Sequence, residues 1–321
     1  MKITSGLAQY HRSTHPVLTI GNFDGHHLGH LALLRAVVEL AEKRGGTPIV
    51  LTLDPHPVRV LAPDVELRLL TSMEEKLARC EQAGIHEVLL LEFTAQLAAL
   101  SPDEFVLRIL RDGVGVRDLF VGEHFAFGRS RSGSVADLRR LGPEAEFKVH
   151  SVPPVSLDGQ VVSSTRIRKL IQLGDMQGAA KCLGRPYALG GTVVSGQRRG
   201  QDLGWPTANL AMPHERVIPP DGVYATTTTW KAERLDSVSY IGTRPTFGIG
   251  ERLLEVYLLD QDVDLYGERI DVHFIERLRD DARFDSAEAL AARISLDVTQ
   301  AREALKTVAH DATDSSRGGA R

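Results

Sequence analysis

Strand-like and helix-like stretches alternate through the first half of this chain and then stop alternating, and no other feature narrows the fold so far. Short apolar runs stand at 17–20 (VLTI), 48–53 (PIVLTL), 87–93 (EVLLLEF), 118–122 (DLFVG) and 146–152 (EFKVHSV). Helical patterns fill the gaps at 28–44, 72–83, 101–112 and 134–141; in the first, Leu31, Leu34, Val38 and Ala41 form an apolar stripe. Strands alternating with helices predict a parallel sheet covered on both faces, with ligands at the carboxyl ends of its strands. Residues 163–183 read as two more helices. From about 188 to 280 the pattern changes to short strands between Gly/Pro turns, among them GVYATTTTW, LLEVYLLD and RIDVHFIERL. That predicts a small all-β barrel. An amphipathic helix over 286–305 closes the chain, with Leu290, Ile294, Val298 and Ala301 on one face. The expected organisation is an α/β domain over 1–185, a barrel with its terminal helix over 186–308, and a disordered polar tail over 309–321.

Composition excludes several classes. The 321 residues suit about two domains. A formal net charge of −4 argues against a general nucleic-acid binder, which shows a basic surplus. Cys80 and Cys182 stand far apart and outside any metal-site spacing, so they read as partly buried thiols of a reducing compartment. The first fifteen residues lack the apolar core of a secretory signal, and no run approaches the roughly 18 apolar residues of a membrane helix. A cytoplasmic protein with neither nucleic-acid nor membrane partner is the expectation; oligomeric state stays open.

The stretch VLTIGNFDGHHLGH (17–30) is the carboxyl end of such a strand. His27 and His30 lie three residues apart where a helix begins, beside free N–H groups and the positive helix end, a setting suited to polyphosphate. Gly29 removes a side chain where a nucleotide must approach closely. A metal pair or two helix-surface histidines are the plainer readings of the same spacing. A second candidate is SSTRIR (163–168): Ser163, Ser164 and Thr165 suit a helix cap, while Arg166 and Arg168 add cations that a cap does not need. In the barrel, WPTANL (205–210) puts a hydroxyl, Thr207, and an amide, Asn209, on one side of an extended segment, as Mg held jointly with phosphates requires. An ordinary turn explains PTAN as well. The glycine-bounded SGQRRG (195–200), with Arg198 and Arg199, forms a loop able to close over phosphates; no Walker motif exists in the chain.

Taken in order, GNFDGHHLGH, TLDPHP (52–57), VGEHFAFGRSRSG (121–133) and SSTRIR resemble the FMN adenylyltransferase module of bacterial bifunctional riboflavin kinase/FAD synthetases, a Rossmann-like member of the HxGH nucleotidyltransferases. GTVVSGQRRGQDLGWPTANL, GVYA, IGTRPTF, LLEVYLLD and DLYGERIDVHFIERLR resemble that family's riboflavin kinase barrel. The resemblance spans roughly residues 14–305. It implies that His27 and His30 contact ATP phosphates, that Asn22 and Gly29 line the nucleotide site, and that Ser164, Thr165 and Arg166 clamp the phosphates. Flavin would be flanked by Pro55 of TLDPHP and by His124, Phe125 and Phe127. In the barrel it implies that Arg198 belongs to the nucleotide site, that Thr207 and Asn209 coordinate Mg-ATP, and that Glu255 is the general base for the riboflavin 5′-hydroxyl. The implied substrates and products are riboflavin, FMN, FAD and ATP. Four positions depart from the family pattern: His26 for an aliphatic residue, Leu53 for phenylalanine, His124 for Asp or Asn, and Tyr257 for histidine. His124 leaves open a kinase whose adenylyltransferase is impaired. A flavin-binding protein without turnover is the rival from another class.

Overall fold

The computed structural model of the chain describes residues 1–194, 205–212, 214–243, 252–261 and 263–317, the last eleven by backbone alone. It divides into two compact units, Met1–Ser164 and Thr165–Arg321.

In the first unit, strands β1 (Lys2–Ser5), β2 (Pro16–Ile20), β3 (Thr47–Asp54), β4 (Glu87–Glu92), β5 (Asp118–Gly122) and β6 (Lys148–Val152) form one sheet in the order β1-β4-β3-β2-β5-β6. Every pairing in it is parallel. The order reverses at β2, which lies between β3 and β5, so the loop leaving β2 opens at the switch point where ligands bind in such sheets. All five residues of β2 are buried. Leu18 and Ile20 face a core with Leu51, Leu119, Phe105 and Leu110; Val17 faces one with Val50, Phe120 and the helix α1 (Leu28–Arg44). Burial of each such leucine or valine contributes about 1.5–3 kcal/mol. α1 buries Leu33, Leu34, Val37 and Ala41, while Leu31 and Val38 of the expected stripe are half-buried. It ends at Gly45, whose φ of 59° is the left-handed conformation that glycine accepts at little cost.

The remaining helices of this unit are α2 (Pro57–Leu61), α3 (Met73–Gln82), α4 (Ala95–Ala98), α5 (Pro102–Glu104), continued with π-type bonding over Phe105–Val114, and α6 (Val135–Leu141). α3 begins in a full capping box between Ser72 and Glu75. A hairpin of β7 (Ser156–Leu157) and β8 (Gln160–Val161) precedes α7 (Ser164–Gln172).

α7 and α8 (Met176–Leu183) belong with the second unit, which therefore starts about twenty residues before the boundary expected at 185. The reason is packing: α8 lies on strands of the barrel. The barrel closes in the order β10-β13-β12-β11-β14-β9, from β9 (Tyr187–Val194), β10 (Ala208–Leu210), β11 (Gly222–Trp230), β12 (Glu233–Thr243), β13 (Arg252–Leu258) and β14 (Arg269–Asp280). All its pairings are antiparallel. Among its buried residues is a run of hydroxyls: Thr226 Oγ1 is 2.8 Å from both Ser237 and Ser239, and Thr228 Oγ1 is 2.9 Å from Ser237. The last helix, α9 (Ala287–Arg317), lays Val298, Ala301, Ala304 and Leu305 over Val223, Ala225, Val238 and Ile275. Asp297, 2% exposed, holds it to β14 through Arg279 and also accepts from Arg293 one turn earlier on the helix. The helix continues through most of the tail expected to be disordered, because no proline or glycine interrupts the sequence before Gly318. Neither cysteine is in a disulfide, and both are fully buried, not partly so. Among the described residues no helix is long and apolar enough to cross a membrane.

Candidate active sites

The turn after β2 folds back on itself, with φ of 47° at Phe23, 42° at His26 and 88° at Gly25. The Asp24 carboxylate fixes it by accepting from Leu70 N (2.9 Å), Thr71 N (3.1 Å) and Thr71 Oγ1 (3.2 Å), and Gly25 N donates to Thr71 Oγ1 (3.1 Å). His27 then serves as the N-cap of α1: its Nδ1 accepts from His30 N at 3.3 Å. Accepting at Nδ1 leaves Nε2 as the protonated nitrogen of the neutral ring. The His27 and His30 rings stack at 3.6 Å between centroids and 16° between planes. Burial, then His27, His26 and Lys76, hold His30 well below the ordinary histidine range. The two imidazoles expected together are thus together, at the helix start beside the sheet's switch point.

Gly29 has a different local reason from the one expected. A Cβ there would meet His27 Cε1 at 3.2 Å and Nδ1 at 3.3 Å, so its hydrogen leaves room for the His27 ring itself. Asn22 Nδ2 lies 3.1 Å from His56 Nε2, joining the turn to the TLDPHP loop through a histidine that sequence reasoning passed over. Ser164 Oγ donates to the Asp24 carbonyl at 2.8 Å, binding this last residue of the first unit to the same turn. Thr165 and Arg166 follow on α7 and belong to the second unit.

Of the expected flavin neighbours, Pro55 and His124 are exposed and Phe125 is half-buried. Phe127 is 6% exposed, stacks with Phe125 at 5.9 Å and meets the tilted ring of Phe105 at 5.5 Å. A Cβ at Gly133 would touch its ring at 2.8 Å. Phe127 is therefore a core side chain that lies against Phe125.

In the barrel, β10 and β13 pair so that Asn209 stands directly opposite Glu255, and on the next strand Tyr240 stands opposite Glu255 in turn. Residues paired in this way share one face of the sheet, with Cβ atoms roughly 5 Å apart. Glu255 is half-buried between the buried Leu254 and Val256, as the strand's alternation requires. Thr207, two residues before Asn209, is half-buried and Asn209 is 6% exposed. The Tyr240 hydroxyl donates to Asp281 at 2.9 Å; burial, then Asp281, Asp221 and Glu255, push its ionisation well above the usual range. Arg198 lies outside the described residues.

Comparison with known proteins agrees with this division. A family model described as FAD synthetase matches residues 9–166, and one described as riboflavin kinase matches residues 183–305. A bifunctional riboflavin kinase/FMN adenylyltransferase of Pseudomonas fluorescens is 40% identical over 92% of this chain and 94% of its own. One of Escherichia coli (strain K12) is 38% identical over 89% and 92%. Among solved structures, one titled a macrolide-efflux protein from Streptococcus pneumoniae is 30% identical, with a TM-score of 0.87 over 94% of this chain and 99% of that one.

Proposed function

The chain belongs to the bifunctional riboflavin kinase/FMN adenylyltransferase family, and we propose which of its residues carry each of the two reactions. One ATP phosphorylates riboflavin to FMN, and a second adenylylates FMN to FAD with release of pyrophosphate.

In the barrel, Glu255 takes the proton of the riboflavin 5′-hydroxyl as that oxygen attacks the γ-phosphorus of ATP. The bond to the β–γ bridging oxygen breaks and ADP leaves. The observation that supports this most directly is the register that sets Asn209 opposite Glu255. Among the described residues no group of three or more His, Cys, Asp or Glu side chains suits a metal ion. Thr207 and Asn209 instead offer neutral oxygens, a donor set that fits Mg, which is held by few protein groups together with substrate phosphates. Thr207 Oγ1 and the Asn209 amide oxygen would hold it, and bound there it supplies neutralisation of the triphosphate. Arg198, on sequence grounds, would join the nucleotide.

In the first unit, a phosphate oxygen of FMN attacks the α-phosphorus of ATP. That oxygen is already nucleophilic near neutral pH, so these residues orient and neutralise and need not abstract a proton. His27 and His30 donate to the phosphates, Asn22 and Gly29 shape the turn beneath them, Ser164 holds to that turn, and Thr165 and Arg166, on sequence grounds, bind phosphate as well. Pro55, His124 and Phe125 border the flavin. We assign the enzyme to the cytoplasm, where ATP is supplied.

The test is a time course with riboflavin, excess ATP and Mg, the flavins being separated by chromatography. FMN rising first and FAD following is the expected result. FMN that accumulates without FAD would overturn the adenylyltransferase assignment, with His124→Asp the next variant. No conversion would overturn both.

A further inference from the structure

Two histidines of the first unit cap a helix through the same ring nitrogen: His27 at the start of α1 and His56 at the start of α2. β2 and β3 are parallel neighbours, with Ile20 paired to Leu51. Asn22 follows the end of β2 and His56 follows the end of β3, so both stand at carboxyl ends of strands beside the switch point. Pro57 takes the first position of α2. Proline has no N–H, so Val58 carries the first donor that this helix leaves open. That N–H donates to His56 Nδ1 at 3.3 Å.

The cap fixes the ring. A hydrogen on Nδ1 would face the Val58 N–H, so Nδ1 is bare and the N–H of the ring is at Nε2. Asn22 lies against that nitrogen, its Nδ2 3.1 Å away. Two N–H donors cannot bond each other. The two ends of an amide have nearly the same shape and are told apart by their partners. A half-turn of the Asn22 amide puts Oδ1 in the place of Nδ2, and Nε2–H then donates to it at hydrogen-bond distance. The NH2 end is left facing away from His56. Asn22 is half-buried, and among the described residues its amide has no other hydrogen bond, so those N–H donors are open to a ligand.

We propose that His56 is a positioning residue for adenylyl transfer: donating from Nε2 to the Asn22 oxygen, it turns that amide so that the NH2 end, and not the oxygen, meets the triphosphate of ATP. The proposal rests on the reading of Asn22 as a residue of the nucleotide site. It deepens that reading by naming the group that sets the sign of the contact. An amide oxygen turned to the phosphates would repel them, whereas the NH2 group donates to them. A donor already held in place needs no reorganisation as charge moves to the leaving pyrophosphate.

The experiment has two readouts on the full-length protein. Nitrogen NMR with labelled histidine reads the His56 tautomer, His56→Asn or His56→Gln assigning its signals. The hydrogen is expected on Nε2; a hydrogen on Nδ1 overturns the proposal. The second readout is a double-mutant cycle on FAD formation from supplied FMN, with riboflavin phosphorylation by the same samples measuring active protein. Asn22→Ala removes the amide and is expected to slow FAD formation by about 10²–10³-fold. His56→Asn keeps an acceptor in the place of Nδ1, and asparagine caps helices well, but it has no atom in the place of Nε2. It is expected to slow the reaction by roughly three- to tenfold, the worth of one hydrogen bond. Added to Asn22→Ala, it is expected to cost nothing more, because the amide it orients is gone. Losses that multiply would show that His56 only holds its own loop, and would discard His56 while keeping the nucleotide reading of Asn22. Full FAD formation by Asn22→Ala would instead remove that reading.

Discussion

Replacing Gly29 with alanine separates two reasons for a glycine in the histidine-bearing turn. Gly29 is not in the left-handed region, so alanine fits its backbone. By restricting the unfolded chain, the change stabilises the first unit by about 0.4–1 kcal/mol. The new methyl would sit 3.2 Å from His27 Cε1, where ordinary contact begins at 3.4 Å, so the ring retreats by the difference, 0.2 Å. A misplacement of about 1 Å costs on the order of a hundredfold in rate. Scaled logarithmically, 0.2 Å costs roughly two- to threefold. The expected variant is thus more stable and a little slower in forming FAD, with KM for ATP nearly unchanged. Urea unfolding reads the stability, and initial rates of FAD formation read the activity. FMN formation by the same molecules measures how much active protein is present. A rise of about tenfold or more in KM for ATP would refute the reasoning, because it would mean that the methyl occupies nucleotide space and that support of the His27 ring is secondary.

Glu255→Gln keeps the shape of the side chain opposite Asn209 and is expected to slow riboflavin phosphorylation by about 10²–10⁴-fold, with FAD formation from supplied FMN intact; a loss below about threefold would remove Glu255 as base. Asp297→Ala leaves Arg279 and Arg293 without their buried carboxylate and is expected to destabilise the barrel unit by roughly 3–5 kcal/mol in urea unfolding. Glu87 supplies the pH test: burial alone would raise its pKa, but hydrogen bonds from Lys2, Ser13 and Thr4 outweigh burial and lower it in the fold. Its stabilisation is therefore present above the unfolded value, about 4.3, and fades as pH falls through the lower folded one. Glu87→Gln should cost on the order of 2 kcal/mol at pH 7 and progressively less below about pH 4, as followed by unfolding at a series of pH values.

Periodicity made most of the architecture legible before any coordinates. Strands β2 to β6 of the first sheet and α1, α3 and α6 are each a run whose apolar spacing leaves one reading. What escaped lacks such spacing. β1 is four residues with one buried side chain, and it is a strand because β4 pairs with it. α2 carries a proline at its first turn and is only five residues long. At the candidate sites, the closeness of His27 to His30 was legible because a spacing of three at a helix start brings them together, whereas the pairing of Asn209 with Glu255 is a matter of strand register that spacing does not give. The burial of Phe127 was not legible, because an aromatic in a loop motif looks the same whether it is exposed or packed in the core. The burial of Lys76 on α3 left no signal: in a helix rich in charge, its neighbours in sequence say nothing about burial, which is decided by how α3 is fastened to Asp24.

The buried hydroxyls of the barrel carry a thermodynamic consequence. Ser239, Thr226, Ser237 and Thr228 form one chain in which each contact can be donated from either side. Their protons can therefore run along the chain in either sense, and the folded barrel keeps a small configurational entropy that an aliphatic filling would not have. Unfolding also exposes polar groups where valines would have exposed methyls, and polar exposure lowers the heat-capacity increment that apolar exposure raises. The stability curve of the kinase unit is flatter with temperature for that reason, so its strength changes less between cold and warm than that of a barrel of equal size filled with hydrocarbon.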